Sequence, residues 1–581
     1  MEQSLDSAQV EAFIPVREGE RIQALDVVRG FALLGIFLMN IEWFNRSFTE
    51  MQIGLPTGMS GADWWASRLI YVLVQGKFWT LFSLLFGMGF AVMLGRAEQA
   101  GRSFLRPYLR RIFALAVFGA LHYIFLWSGD ILFSYAVAAL ALVILLYGTW
   151  KWILIAFVPL VGLGFAPHMK PVWGLAGSLA YVSVVALFLR GEKRMSLGGR
   201  SLPVFSFVVL VIGTLAALAA GLFWMLPHGP KEPRIPVTVL SVLILTLGIL
   251  SAKFHQPLAP RARRLAVTLY LLPFLVMTTF GVVQWMSPDP GAAFRAQAQA
   301  QVQAQPAAST QTPAAGSADK KPAKTEAEKL MAEEVERAKR TQAFRQEVRT
   351  ETQVLSKGTY REVVAYRAKQ FAEHAPNEAG FATVLIGMFL LGTWFVRSGV
   401  MMQPGEHLPL FRKLAWIALP LGVGMGLASS AIATYHIPGD PKDGFQVATG
   451  LLMMGNLPAC LGYMSVLVLM LHSGTALSKI KILAPVGRMA LTNYLMQSFI
   501  TSFIFFGYGL GHWGMGRARQ ALYVFIVYAL QVAFSYWWLG KFRYGPMEWL
   551  WRAITYWKLP AMRLDRPEGD GSLRAAELPA P

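Results

Sequence analysis

Two arginines, each followed eleven residues later by a polar side chain inside an apolar run, are the first residues that suggest chemistry. In RRIFALAVFGALHYIFLW the pair is Arg111 and His122; in ALDVVRGFALLGIFLMNIEW it is Arg29 and Asn40, with Asp26 three residues before the arginine. Eleven residues make almost three α-helical turns, so each pair shares one helix face and spans about 16 Å along it. A guanidinium is a good phosphate ligand and a neutral imidazole a good general base. Either arginine alone would read as a charge anchoring a helix end, Asp26 being the i,i+3 partner of Arg29. Two such stripes together point to a polar path from the cytoplasmic face to the middle of a helical bundle.

An ionisable group at the centre of a transmembrane helix costs at least ~2.5 kcal/mol, so every one inside an apolar run is a functional candidate. Among the nine histidines only His122 lies well inside such a run. Lys77 in QGKFWTLFSLLFGMGF, Asp130 and Tyr135 in WSGDILFSY, and Asn493 and Gln497 in GRMALTNYLMQSF, five and nine residues after Arg488, complete the set. Each also has a structural reading. Lys77 can snorkel outward, Asp130 can cap a helix, and His122, Asn493 and Gln497 can hydrogen-bond a neighbouring helix. No metal is expected.

The elements that must hold these residues are membrane helices. Of 581 residues 55% are hydrophobic and 15% charged, which is too apolar for a water-soluble chain. The formal charge of +20 does not mark a nucleic-acid binder, because the excess sits in short loops between apolar runs. Cys460, inside an apolar run, is the one cysteine, so no intrachain disulfide forms. We expect an all-α, polytopic integral membrane bundle of about fourteen transmembrane helices. The spans fall near 27–44, 70–95, 112–127, 131–147, 151–166, 172–189, 203–226, 236–252, 264–286, 379–397, 413–434, 445–472, 488–510 and 519–539. The even-numbered loops are basic throughout, with Arg102, Arg106, Arg110 and Arg111 in one and Arg190, Lys193, Arg194 and Arg200 in another. The positive-inside rule then puts both termini in the cytoplasm of a bacterium, with the bundle in its inner membrane.

The expected organisation is a cytoplasmic leader 1–26, a transmembrane bundle 27–286, an extracytoplasmic insertion 287–378, a second bundle 379–540 and a cytoplasmic tail 541–581. The insertion opens with an Ala/Gln/Pro tract too poor in apolar residues to build a core, a flexible tether. From about Thr325 to Phe371 it is rich in Glu, Lys and Arg, with i,i+4 pairs such as Glu333 with Arg337 and Glu336 with Arg340, the pattern of a solvated helix.

The blocks RIQALDVVRGFALLGIFLMN, GKFWTLFSLLFGMGF, RRIFALAVFGALHYIFLWSGDILFSYA, APVGRMALTNYLMQSFI and GPMEWLWRAITYW resemble the YeiB-like membrane proteins, defined by domain of unknown function 418. The resemblance covers roughly 20–165 and 355–560. The spans from about 172 to 286 and the Ala/Gln-rich insertion look longer than the family's usual core. That family is distantly similar to transmembrane acyltransferases, which pass an acyl group from cytoplasmic acyl-CoA to an acceptor across the membrane through an intramembrane histidine. The resemblance therefore implies acyl-CoA as donor, held by Arg29, Arg110, Arg111 and Arg488. It also implies His122 as base on a sugar or lipid-headgroup acceptor, with Asp130 or Lys77 orienting it or stabilising the oxyanion. Asp26, Asn40, Tyr135, Asn493 and Gln497 would line the path. Two other classes stay open. A small-solute transporter would use the same polar groups, although no paired Gly/Pro-broken helices mark equivalent halves. An envelope assembly protein would leave His122 without a role.

Overall fold

In lipid every backbone N–H and C=O must pair within its own segment, so apolar runs of this length become helices. The computed structural model describes residues 22–101, 103–165, 172–197, 200–225, 234–253, 258–304, 325–375 and 378–564. These are helical almost throughout, apart from a short antiparallel hairpin of β1 (Arg194–Leu197) and β2 (Arg200–Pro203). The first helices are α1 (Gln23–Asn40), α2 (Gly61–Leu73), α3 (Lys77–Gln99), α4 (Leu105–Phe125), α5 (Leu132–Tyr147), α6 (Trp150–Gly164) and α7 (Val172–Arg190). There follow α8 (Val204–Met225), α9 (Arg234–Lys253), α10 (Leu258–Met286), α11 (Arg295–Ala304), α12 (Glu326–Lys357), α13 (Tyr360–His374) and α14 (Glu378–Arg397). The last are α15 (Leu408–Lys413), α16 (Leu419–Ile432), α17 (Phe445–Leu471), α18 (Ala484–Arg488), α19 (Ala490–Phe505), α20 (Arg517–Leu539) and α21 (Pro546–Tyr556).

Fourteen spans are expected, and among the described residues ten helical stretches are long and apolar enough to cross a membrane. The other four expected spans fall on α5, α6, α9 and α19. Two spans differ in detail. The run 70–95 is not one helix: Gly76, at φ 79°, breaks it between α2 and α3, a left-handed conformation that glycine adopts without steric cost. The run 488–510 is interrupted at Met489 and ends at Phe505, and α19 is a polar helix carrying Asn493, Gln497, Ser498, Thr501 and Ser502 on buried positions. The expected charged helix of the insertion is two helices parted at Gly358. Each begins with a threonine capping box, Thr325 with Glu328 and Thr359 with Glu362. Glu336 pairs with Arg340 at 3.5 Å, whereas Arg337 turns to Glu334 at 3.7 Å. The Ala/Gln/Pro tract does not open as a tether: Arg295–Ala304 form α11, which packs on α12 and buries Ala298 and Val302, because alanine and glutamine favour helix. The rest of the tract, 305–324, lies outside the described residues.

The bundle is sorted as a membrane protein must be, with apolar side chains on its outside. On α4, Leu109, Phe113, Val117, Leu121 and Phe125 are exposed at four-residue spacing, while Tyr108, Ile112, Leu115, Gly119 and His122 are buried. The buried face meets α5. α3 packs on α14, and α14 on α10 and α5, around a core that includes Leu81, Leu84, Met88, Tyr135 and Phe389.

The loops meet in two groups at opposite helix ends. In one group Asn45 bonds Met515, Gly54 bridges Tyr435, and Glu351 of α12 accepts the amides of Phe48 and Thr49 at 3.1 and 3.0 Å. Gly507 N donates to Leu355 O there at 2.9 Å, so the insertion is docked on this end. In the other group Arg397 pairs with Glu98 at 2.6 Å and Arg190 reaches the Gly148 carbonyl.

Candidate functional site

Among the described residues a cavity of about 980 Å³ opens at the basic end of the bundle, between the start of α1, the end of α3 and the start of α4. Seven arginines line it: Arg29, Arg96, Arg111, Arg397, Arg488, Arg543 and Arg552. Three carboxylates share the wall, Asp26, Glu98 and Glu548, and each is already engaged. Asp26 pairs with Arg29 at 3.0 Å and Glu98 with Arg397. Glu548 takes the amides of Leu491 and Thr492 at 2.6 and 3.1 Å and the Thr492 hydroxyl at 2.5 Å, capping the first turn of α19. Burial pushes the Glu548 carboxyl up, against those donors, which pull it down. The net field in the cavity is positive, suited to a polyanion such as a nucleotide phosphate.

Arg111 is positioned from both sides. Its guanidinium lies 3.7 Å from the ring centroid of Trp551 on α21, and Trp551 Nε1 donates to the Arg111 carbonyl at 3.0 Å. Arg110, one residue earlier, points away from the cavity and over the exposed Trp557 at 5.3 Å. Further in, the wall becomes apolar and aromatic, with Ile36, Phe86, Leu132, Tyr135 and Tyr494.

Behind Tyr494 sits the histidine. The two rings are 5.0 Å apart between centroids. His122 Nδ1 lies 2.8 Å from Asp130 Oδ1, and both side chains are wholly buried. With Asp130 as carboxylate and the imidazole neutral, Nδ1 donates to the carboxylate and Nε2 carries the lone pair of a base. Among the described residues His122 Nε2 has no hydrogen-bond partner. The other oxygen of Asp130 accepts the Phe133 amide at 2.8 Å, so the capping and orienting roles are filled by one side chain. Gly119, one turn before His122, lets α4 and α5 close: a Cβ there would fall 2.3 Å from Phe133 N and 2.7 Å from Asp130 Oδ2.

His122 lies in the last turn of α4, whose helix ends at Phe125 and not at 127, so it sits nearer the far end of the bundle than its place within the apolar run suggests. It is buried because α13 covers that end. Phe371 packs on Tyr123 and Phe133 at 5.2 and 5.1 Å, and Tyr360 donates to the Phe125 carbonyl at 3.1 Å.

The other sequence candidates divide. Asp26, Arg29, Arg111, Tyr135 and Arg488 share the cavity wall, and His122 with Asp130 lies behind it. Asn40 closes the end of α1, buried and off that wall. Lys77 is held elsewhere, donating to the Gln75 carbonyl at 3.3 Å. Asn493 and Gln497 join α19 to α20: Asn493 donates to Ser535 at 3.0 Å and Gln497 to Gln531 at 2.8 Å. Tyr494, Arg543, Glu548, Trp551 and Arg552 escape the sequence reading. The signal available for the last three was GPMEWLWRAITYW, which places an acid, an aromatic and an arginine after a Gly-Pro helix start.

Residues 395–558 match the family described as "Protein of unknown function (DUF418)". The chain is 25% identical over 563 residues to "Uncharacterized protein YxaH" of Bacillus subtilis (strain 168), covering 93% of this chain and 96% of that relative. It is 33% identical over 184 residues to "Uncharacterized protein YeiB" of Escherichia coli (strain K12), covering 30% and 45% of the two chains. To "Uncharacterized 39.9 kDa protein in amylase 3'region" of Bacillus acidopullulyticus it is 38% identical over 126 residues, covering 21% and 33%. No solved structure matches the chain. The chain is thus a multi-pass helical membrane protein whose residues 395–558 match the DUF418 family and which is similar to YxaH and YeiB.

Proposed function

We propose that this protein is a membrane acyltransferase of the bacterial inner membrane, moving an acyl group from cytoplasmic acyl-CoA to a sugar or lipid-headgroup acceptor on the other side. The observation that carries the reading is the His122–Asp130 pair, its Nε2 unpartnered, separated by Tyr494 from the inner end of an arginine-lined cavity. The guanidinium groups of Arg29, Arg111 and Arg488, with Arg543 and Arg552, suit the phosphates of CoA, and the pantetheine arm runs inward along the stripe from Arg111 to His122, about 16 Å.

At the inner end His122 Nε2 takes the proton of the acceptor hydroxyl as its oxygen attacks the thioester carbon. The C–S bond breaks, the proton passes from His122 to the departing thiolate, and the acyl group remains on the acceptor oxygen. Asp130 holds the imidazole in the required tautomer and offsets the charge it gains. Tyr494, whose ring lies 5.0 Å from that of His122, supplies a hydroxyl that can donate to the developing oxyanion. The test is transfer of radiolabelled acetyl from acetyl-CoA to envelope glycans or lipids by the purified protein in vesicles, with CoA supplied only at the face carrying the arginine cavity. Label is expected in acceptors enclosed at the opposite face; none, with intact protein, would refute the reading.

One observation favours a solute transporter instead. Lys77 is fully buried with no carboxylate among its described partners, as a proton- or solute-binding amine would be.

A further inference from the structure

α13 carries a charge into its own contact face. Val363, Arg367 and Phe371 follow at four-residue spacing and so share one side of the helix. Val363 and Arg367 are each 0% exposed, and Phe371 packs on Tyr123 and Phe133, chain neighbours of His122 and residues close to Asp130. The Arg367 guanidinium stands 4.9 Å from the ring centroid of Phe506, which stacks on Phe44, as Trp127 does from the other direction. Trp127 in turn lies 6.3 Å from the His122 ring. An aromatic floor thus runs from beneath Arg367 to the histidine.

No Arg367 nitrogen makes a hydrogen bond of good geometry among the described residues, and the acceptor nearest in effect is the neutral Tyr508 hydroxyl, which does not balance the charge. Glu351 feels its charge but spends both oxygens on Ser47, Phe48 and Thr49. Arginine cannot discard its proton, and a buried ion faced by no free carboxylate is among the costliest groups a fold can hold. Docking of α13 does not need it, since an aliphatic side chain between Val363 and Phe371 would fill the same face. An incoming anion would remove the penalty, so the site favours binding one.

We propose that Arg367 anchors a binding site, under α13, for the phosphate or carboxylate group of a molecule that approaches from the face this helix covers. On the acyltransferase reading, on which only this identification rests, that molecule is the acceptor, and the acceptor is anionic. The anion site itself stands without that reading.

The test is thermal unfolding of the full-length purified protein, titrated with inorganic phosphate at constant ionic strength set by chloride. A second arm uses nanodiscs of phosphatidylglycerol against phosphatidylcholine. A saturable rise in Tm is expected in one arm: with phosphate if the ligand is a free or sugar phosphate, with phosphatidylglycerol if it is a lipid headgroup. Arg367→Leu is expected to melt no lower than the parent without ligand and to need at least tenfold more anion for the same shift. No shift in either arm, or an equal shift in Arg367→Leu, would overturn the proposal. Should Arg367→Leu not fold, Arg367→Lys takes its place, and an undiminished response there has the same force. His122→Ala is expected to keep the anion response, so failure of the acyl-transfer reading and failure of the site are told apart.

Discussion

The Glu548 carboxylate and the Thr492 hydroxyl meet at 2.5 Å, and through this contact α21 is fastened to the first turn of α19. The same helix presents Trp551 to Arg111, so one acidic residue controls both the start of the helix that carries Tyr494 and the seat of a cavity arginine. Glu548→Ala leaves the Leu491 and Thr492 amides without their acceptor, an expected loss of about 1–3 kcal/mol. Thermal unfolding of the purified variant should show a lowered Tm. An unchanged Tm would mean the cap contributes nothing.

Gly119 offers a steric test of the α4–α5 contact. Gly119→Val places side-chain atoms where Phe133 N and Asp130 now stand, and overpacking of this kind costs about 1–3 kcal/mol. The variant should lose stability and acyl transfer together, because Asp130 is displaced from His122. Gly177→Ala on α7, where a Cβ meets nothing within 4 Å, is the control and should leave both unchanged.

The two adjacent arginines separate the phosphate role from mere charge. Arg111→Gln removes a cavity guanidinium, Arg110→Gln one that rests on Trp557. Isothermal titration with CoA should show at least a tenfold weaker Kd for Arg111→Gln, which corresponds to about 1.4 kcal/mol, and little change for Arg110→Gln. Equal losses would mean that only the net charge matters.

Sidedness is open to chemical labelling, because the native Cys460 is fully buried. Glu333→Cys on the exposed face of α12 should react with an impermeant maleimide in intact spheroplasts, and Lys479→Cys only after the membrane is opened. The reverse pattern would invert the orientation drawn from the basic loops.

What was legible in the sequence follows from which signals are local. Apolar length and loop charge are local, and the helices fall where those signals put them. The Arg29, Arg111 and His122 stripes were legible because helical periodicity alone places residues eleven apart on one face. Contacts between segments far apart in the chain were not. Glu548 reads as an ordinary acid in a tail until α21 folds back on α19, and Tyr494 as one more aromatic until its ring is found beside that of His122. Asn493 and Gln497 carried the same intramembrane signal as His122, yet both donate across to α20 and so tie two helices together. The type of residue marks a polar group in lipid, and only its partners show whether that polarity is spent.

The most direct measurement is Tm and acyl transfer on one preparation of His122→Ala. A positioned base contributes ~10²- to 10⁴-fold in rate, so the account predicts transfer reduced at least a hundredfold with CoA binding and Tm close to the parent. A folded His122→Ala protein that transfers acyl groups at the parent rate would contradict it.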